Sequence, residues 1–430
     1  MSVEMKDSGI DWIGEIPKHW NMLMLKNAVS IKRGGSPRPI EEYISDIGYN
    51  WIKIGDTTKG SKYISSCQVK IKESGLSKTR KVQVNDLILT NSMSFGEPYI
   101  LKIDGCIHDG WVVFSDYKNI DKEFLYYFLL SPFCKQQFDL QVAGGVVQNL
   151  NIDKIGTTLL LLPPKEEQFR IANFLDKKCA EIDELIALQE QMIAQLNTYK
   201  QAVITETVTK GLNPNVKMKD SGVEWIGEIP EHWDKDKIIR MFKTIGSGTT
   251  PKSTEDSNFQ GTINWLQSGD INGNIITESK HKISLETLKE YSVLKIYKAP
   301  FIVVAMYGAS VGNISISDID ACVNQACCVM SNSKHDFRFL FYTIKSAKNY
   351  LIYRAVGGGQ PNISQDTLKN LWLPNPPLSE QQFIAQYLDQ KCKGIDELIS
   401  IKKEKIEHLK AYKKSVIYEY VTGKKQVFDN

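Results

Sequence analysis

Two short loops of this 430-residue chain carry side chains suited to gripping a polyanion. They are Lys32-Arg33-Gly34-Gly35-Ser36-Pro37-Arg38 and Ser247-Gly248-Thr249-Thr250-Pro251-Lys252, at corresponding places in the two halves of the sequence. Glycine lets backbone amides approach a phosphate, Ser and Thr hydroxyls can bond it, and Arg can fork onto guanine in a major groove. Lys32, Arg33, Gly34, Ser36 and Arg38 are therefore candidates in the first loop, and Ser247, Thr249, Thr250 and Lys252 in the second. Base-reading side-chain types recur at Gln148-Asn149, Asn324-Gln325 and Gln360 with Asn362. Lys53 and Gln267 join them, standing just before Gly55-Asp56 and Gly269-Asp270. Each alone is more often an ordinary turn; recurrence in both halves is what singles them out.

Charge supports the same chemistry. Lys26 to Lys81 holds 12 Lys/Arg against 5 Asp/Glu, and Lys237 to Lys298 holds 9 against 6. A basic, glycine-punctuated region can neutralise phosphates and release their counterions. The whole chain carries only +3, so the bias is local.

Catalytic chemistry is hard to find. Gly423-Lys424 is followed by Lys425, so there is no P-loop, and no Gly-x-Gly-x-x-Gly follows a strand. The six histidines fall in no metal-ligand spacing, and His19 and His232 read as structural. Asn375-Pro376-Pro377-Leu378 resembles the Asn-Pro-Pro-aromatic motif of amino-methyltransferases, but its fourth residue is Leu and its counterpart is Leu162-Pro163-Pro164-Lys165. Pro-Pro at the start of a helix is the simpler reading. Eight scattered cysteines form no Cys-x-x-Cys pair, and Cys179 and Cys392 lie in helical patterns, as packing thiols would. With no long apolar run and no signal-like start, the expectation is a soluble, reduced, cytoplasmic protein.

The elements that must position these loops are written twice. KDSGIDWIGEIPKHW (Lys6 to Trp20) returns as KDSGVEWIGEIPEHW (Lys219 to Trp233), identical at 12 of 15 positions and 213 residues apart. Each copy opens a unit of three parts: a lead-in segment, a variable region and a long helix. The lead-in residues Trp12, Ile13, Ile16, Pro17 and Trp20 should dock on other parts of the fold. Boundaries are expected at 1–20 for the first lead-in, 21–162 for the first variable region and 163–211 for its helix. A linker with the second lead-in then spans 212–233, the second variable region 234–375, its helix 376–425 and a tail 426–430. Strand-like runs at Asp86 to Thr90, Trp111 to Phe114 and Phe301 to Ala305, and helical patterns at Lys122 to Leu140 and Phe337 to Ala355, make both variable regions mixed α/β. Trp51 answers Trp265, and Gly144-Gly145 answers Gly357-Gly358, so the two regions should share one fold.

Glu166 to Val208 runs 43 residues without Gly or Pro and is rich in helix formers. Ile182, Ile186, Ile193, Leu196 and Val203 form a stripe that Ile395, Ile399, Ile406, Leu409 and Val416 repeat. A sustained seam of this kind predicts helix pairing, most economically antiparallel. Each helix would reach about 65 Å, enough to act as a spacer.

The repeated lead-in, together with PPKEEQFRIANFLDKKCAEIDELI (Pro163 to Ile186) and PPLSEQQFIAQYLDQKCKGIDELI (Pro376 to Ile399), closely resembles the specificity (S) subunit of type I restriction-modification systems, over the whole chain. The resemblance implies two α/β target recognition domains in pseudo-twofold repeat, separated by two long antiparallel coiled-coil helices. Each domain would read one half of a split, asymmetric double-stranded DNA target, with half-sites about one duplex turn apart. It implies no catalysis by this chain and no cofactor of its own. Two methyltransferase (M) subunits would dock on the helices and bring S-adenosylmethionine for adenine methylation. Two restriction (R) subunits would add ATP/Mg2+-driven translocation and cleavage. The rival readings are a single-chain DNA methyltransferase or nuclease, which needs a further domain, and a tandem coiled-coil interaction protein, which the basic bias disfavours.

Overall fold

A computed structural model describes residues 4–10, 13–58, 60–92, 95–143, 150–354 and 362–427. Trp12, Gly144-Gly145 and Gly357-Gly358 lie outside them. The two longest elements are α1 (Lys165–Lys210, 46 residues) and α2 (Leu378–Val421, 44 residues). Both begin directly after their Pro-Pro pairs, whose missing N–H groups cost nothing at a helix start. The chain divides into unit 1 (Met1–Glu190 with Lys403–Asn430) and unit 2 (Gln191–Lys402), so each unit takes part of both long helices.

Within each unit the helix segments run antiparallel. In unit 1, Lys413 pairs with Asp183 at 2.7 Å and Tyr420 lies 4.4 Å from Phe174. In unit 2, Lys200 pairs with Asp396 at 2.6 Å and Lys402 reaches the Met192 sulfur at 3.3 Å. Of the expected stripe, Ile182, Ile395, Ile399, Ile406 and Val416 are buried, and Ile186, Ile193, Leu196, Val203 and Leu409 are half-buried.

Each lead-in is a small hairpin, Met5–Asp7 with Glu15–Pro17 and Met218–Asp220 with Glu228–Pro230. Trp20 and Trp233 are fully buried, and their indole N–H groups donate to Glu167 and Glu380. His19 and His232 bond the same carboxylates at 2.8 Å. Each glutamate sits in the first turn of a long helix, where the macrodipole favours negative charge. The histidines are thus structural, as expected. At the other end of α2, Gly423 turns with φ +70°, and a Cβ there would strike the Pro17 ring at 2.4 Å. Only glycine satisfies both demands. Lys424 then caps the Ile13 and Glu15 carbonyls.

The first variable region builds two five-stranded sheets. One orders Ser30–Arg33, Trp111–Ser115, Leu87–Thr90, Pro98–Leu101 and Tyr63–Ile64; the other orders Ile44–Ser45, Lys70–Ile71, Tyr49–Ile52, Gly105–Ile107 and Arg80–Val82. The second region repeats the first sheet with Phe242–Gly246, Cys327–Ser333, Phe301–Ala305, Ile314–Ser317 and Ile275–Ile276. Its other sheet has three strands: His281–Ile283, Ile263–Leu266 and Cys322–Val323. In each region the first and last strands pair, Asn21–Met24 with Leu159–Leu162 and Asp234–Lys237 with Trp372–Asn375. Asn375 is therefore a ladder residue beside Asp234, not part of an amine-gripping site.

Two expected helices are each broken. Lys122–Leu130 and Pro132–Val142 part at Ser131, whose hydroxyl accepts from the Cys134 N–H and caps the second piece. Pro132 cannot continue the first, because it lacks the N–H and its ring would crowd the preceding turn. Phe337–Ser346 and Lys348–Tyr353 part at Ala347, where ψ is 0°. All eight cysteines are free, with Cys179 and Cys392 buried in the packing. Among the described residues no helix is long and apolar enough to cross a membrane.

Each region is tied to its long helix by a buried glutamine. Gln168 accepts from the Asp121 N–H and donates to the Asn119 and Pro163 carbonyls. Gln381 does the same for Asp336 and Pro376. Replacing Gln168 with Leu would strand three backbone groups while keeping the volume. We expect a loss of about 1–3 kcal/mol in denaturant titration. A change of only a few tenths would mean that water satisfies those groups instead.

Candidate nucleic-acid interface

The first loop begins where the strand Ser30–Arg33 ends. The Gly34 N–H donates to the Trp111 carbonyl at 2.8 Å and the Gly35 N–H to Ile107 at 3.0 Å. A Cβ on Gly34 would lie 2.1 Å from the His108 carbonyl oxygen, so glycine is needed for this close crossing. It lays the loop against His108-Asp109. Asp109 then organises the loop: it accepts from the Ser36 hydroxyl at 2.7 Å and pairs with Arg38 at 3.4 Å. Its backbone carbonyl accepts from Arg33 Nε at 3.1 Å. The Ser36 hydrogen bond, aided by neighbouring positive charge, holds this carboxyl below the usual carboxylate range. Arg38 is 82% exposed despite its partner, and Lys32, also exposed, lies 3.7 Å from Asp116.

Lys53 precedes a single 3-10 turn, Ile54–Asp56, in which Asp56 accepts from the Lys53 N–H at 2.8 Å. The Ile54 N–H points at His108 Nε2, and the Gly110 N–H at Nδ1 from 2.7 Å. Burial lowers the His108 pKa, and the geometry agrees with that direction. A neutral ring can accept one of these bonds, whereas a protonated ring can accept neither. Thus Arg33, Gly34, Ser36, Arg38 and Lys53 gather around His108-Asp109, while Lys32 turns to Asp116. Gln148 and Asn149 lie outside the described residues.

Unit 2 builds the same crossing with other side chains. A Cβ on Gly248 would meet the Val323 carbonyl oxygen at 1.8 Å. The Ser247 carbonyl accepts from the Tyr297 hydroxyl, the Thr249 carbonyl from the Trp265 indole, and the Lys252 N–H donates to the Tyr291 hydroxyl. Thr250 donates to Gln325 Oε1 at 2.7 Å, the counterpart of Ser36 with Asp109. Gln267 precedes the matching turn, Ser268–Asp270, with its N–H bonded to Asp270 at 2.8 Å. Asn324 bonds Leu266 through its N–H, while its side-chain oxygen accepts from the Ala326 N–H, so that oxygen is engaged in a local turn. Asn362 is exposed; its neighbour Ile363 bonds Met306, which in turn bonds Ala326. Gln360 lies outside the described residues.

The two clusters differ in charge. The first closes on a carboxylate among arginines, the second on a neutral amide, with Lys252 paired to Glu255 at 3.5 Å. Sequence reading missed His108, Asp109, Arg80 (which donates to the Arg33 carbonyl) and Tyr291. The available signal was position: Asp109 and Gln325 each follow an equivalent short strand, Gly105–Ile107 or Cys322–Val323. Among the described residues no group of three or more His, Cys, Asp or Glu is placed to hold a metal ion.

Comparison with known proteins gives concordant results. The model of the type I restriction modification DNA specificity domain matches residues 17–198 and again 230–410. The putative type I restriction enzyme MjaX specificity subunit of Methanocaldococcus jannaschii is 27% identical, over 96% of both chains. The MjaVIII specificity subunit of the same organism is 27% identical, covering 96% of this chain and 94% of its own. A solved structure described as the basis of complex assembly and conformational transition of the type I R-M system shares the fold. Its TM-score is 0.74 at 18% identity, covering 95% of this chain and 99% of that one.

The His108 environment yields a pH prediction. Its folded pKa lies below the ordinary ~6.5, so below that pH the unfolded chain binds more protons and stability falls. His108→Gln should flatten the decline in melting temperature between about pH 7 and 5.5. The remaining slope comes in part from His335, also lowered by burial. A variant whose melting temperature falls as steeply as the wild type would remove His108 from this role.

Proposed function

We propose, from the premise that this chain belongs to the type I restriction modification DNA specificity family, that its two loop clusters read two unlike halves of one DNA target. The chain is the specificity subunit of a type I restriction-modification system, with two recognition domains. One observation carries the reading of unlike halves. Equivalent glycine crossings present Ser36 with Asp109 and two arginines in one unit, and Thr250 with Gln325 in the other. Side chains of different charge on one backbone frame suit different base edges, where Arg favours guanine and Gln favours adenine. Arg38 and Lys252, being exposed, are the leading contacts to phosphate or base.

In this reading the chain is itself non-catalytic and holds no cofactor, and it works in the cytoplasm. Two methyltransferase subunits carrying S-adenosylmethionine dock on the long helices, and two restriction subunits supply ATP/Mg2+-dependent cleavage. A repeated exposed stripe supports docking of two like partners. Leu185 and Leu188 on α1 in unit 1 match Leu398 and Ile401 on α2 in unit 2, all between 44% and 59% exposed. Exposed apolar residues in register on a helix face mark an interaction surface.

Mapping methylated adenines in cells with and without this chain tests the function; a pattern unchanged by its loss would refute it. Exchanging residues 234–375 for another recognition domain should alter one half of the target and spare the other. Arg38→Ala should weaken binding by about 1–3 kcal/mol if the side chain reads a base, and by a similar amount on all sequences if it holds phosphate. For docking, Leu185→Asp combined with Leu398→Asp should abolish co-purification of the methyltransferase subunits while leaving the melting temperature unchanged. Retained co-purification would move the docking surface elsewhere.

A further inference from the structure

Asp176 on α1 and Asp389 on α2 are repeat equivalents. Each accepts from a tyrosine six residues beyond the aspartate that caps a recognition-domain helix, Tyr127 after Asp121 and Tyr342 after Asp336. Two residues beyond the same caps the charges are opposite: Glu123 in unit 1 and Arg338 in unit 2. Arg338 bonds Asp389 directly at 2.8 Å. Glu123 instead brings a second negative charge toward Asp176. Lys62 resolves the conflict, pairing with Glu123 at 2.6 Å and also with Asp176. Its ammonium stands 5.0 Å from the ring centres of both Tyr126 and Tyr127.

Among the described residues of unit 2 no lysine pairs with Asp389. Lys62 precedes the strand Tyr63–Ile64, whereas Asn274 precedes its counterpart, Ile275–Ile276. There a cleft of about 840 Å3 lies open, bordered by Asn274, Arg338, Tyr342 and Asp389; Lys200, Lys345 and Lys393 also line it, but Asp389 takes its ion pair from Arg338. The cations differ in exposure, 13% for the Lys62 side chain against 60% for Arg338, while the carboxylates are alike: 41% for Asp176 and 34% for Glu123 in unit 1, and 34% for Asp389 in unit 2. Removing Lys62 leaves two half-buried carboxylates facing each other without their shared cation, whereas removing Arg338 leaves a single carboxylate that the Tyr342 hydroxyl still bonds. Burial pushes the Lys62 pKa down, but its bonds to Asp176 and Glu123 outweigh this and hold it above the ordinary lysine value. The ammonium is therefore charged at neutral pH.

We propose that Lys62 is a positioning residue that seats the first recognition domain rigidly on its long helix, while Arg338 holds the second domain more loosely. The consequence is unequal stringency, with one half of the DNA target read more strictly than the other. The proposal rests on the specificity reading above.

The test uses the chain in complex with its methyltransferase subunits and reads the methylated adenines across a genome. Lys62→Asn should raise methylation at sites mismatched in one half by at least about tenfold, leaving the other half as strict as before. Arg338→Ala should relax the opposite half by less than about threefold. Lys62→Asn with Glu123→Arg rebuilds the unit 2 arrangement and should restore both the stringency and the melting temperature. Equal relaxation of both halves, a lowered melting temperature with an unchanged target, or a double variant no better than Lys62→Asn would each overturn the proposal. A wild-type complex that yields no two-part target would overturn the specificity reading. Rescue of the melting temperature by the double variant would still report on the Lys62 contact by itself.

Discussion

Residues from both long helices are needed to close each unit's core, and this pairing is the constraint on which the other elements depend. In unit 1, Ile171, Leu175 and Ile182 of α1 share a cluster with Val416, Ile417 and Val421 of α2. In unit 2, Ile204 and Val208 of α1 join Ile384, Leu388 and Cys392 of α2. Each fully buried aliphatic side chain contributes about 1.5–3 kcal/mol, and a half-exposed ion pair such as Lys413 with Asp183 about 0–1 kcal/mol. The apolar seam therefore supplies the stability. The ion pairs, placed at its flanks, favour one register over others.

From that pairing the remaining geometry follows by short steps. A helix held in the seam has its first turn fixed, which fixes Glu167 and Glu380 and with them the buried tryptophans of the lead-in hairpins. One turn position further, Gln168 and Gln381 catch the backbone ahead of each recognition-domain helix. The pairing of first and last strands gathers both ends of each variable region beside the helix start. Everything between those ends is free to vary, provided that the interior closes and the glycine crossings at Gly34 and Gly248 survive.

What the sequence made legible was this frame, because its contacts join repeated residues to repeated residues. Trp20, His19 and Glu167 recur together as Trp233, His232 and Glu380, so identity alone exposed the device. The helix stripe was legible through its period. The loops were legible only in part: Gly34 and Ser36 could be set against Gly248 and Thr250, but their partners Asp109 and Gln325 share no chemistry by type. The offset also drifts, from 213 residues at the lead-ins to 214 at Gly34 and Gly248, which defeats a fixed comparison. Ser131-Pro132 could have announced the break in its helix; Ala347 could not. Lys62 was hidden by distance, since its partner Asp176 lies 114 residues away.

The contrast between Lys62 and Arg338 bears on what modularity means in such a chain. A recognition domain meets a carboxylate on its helix that is the same in both copies, Asp176 or Asp389. A domain presenting arginine two residues past its helix cap satisfies that carboxylate at once. A domain presenting glutamate there must carry its own cation elsewhere, as the first does at Lys62. Both solutions are internal to the domain, so a whole domain can be exchanged without altering the frame. A partial exchange that separates Lys62 from Glu123 would set two carboxylates against each other in a half-buried site, with repulsion and desolvation unopposed. The natural joints are therefore the paired strands at the ends of each variable region, because a cut there keeps every charge with its complement.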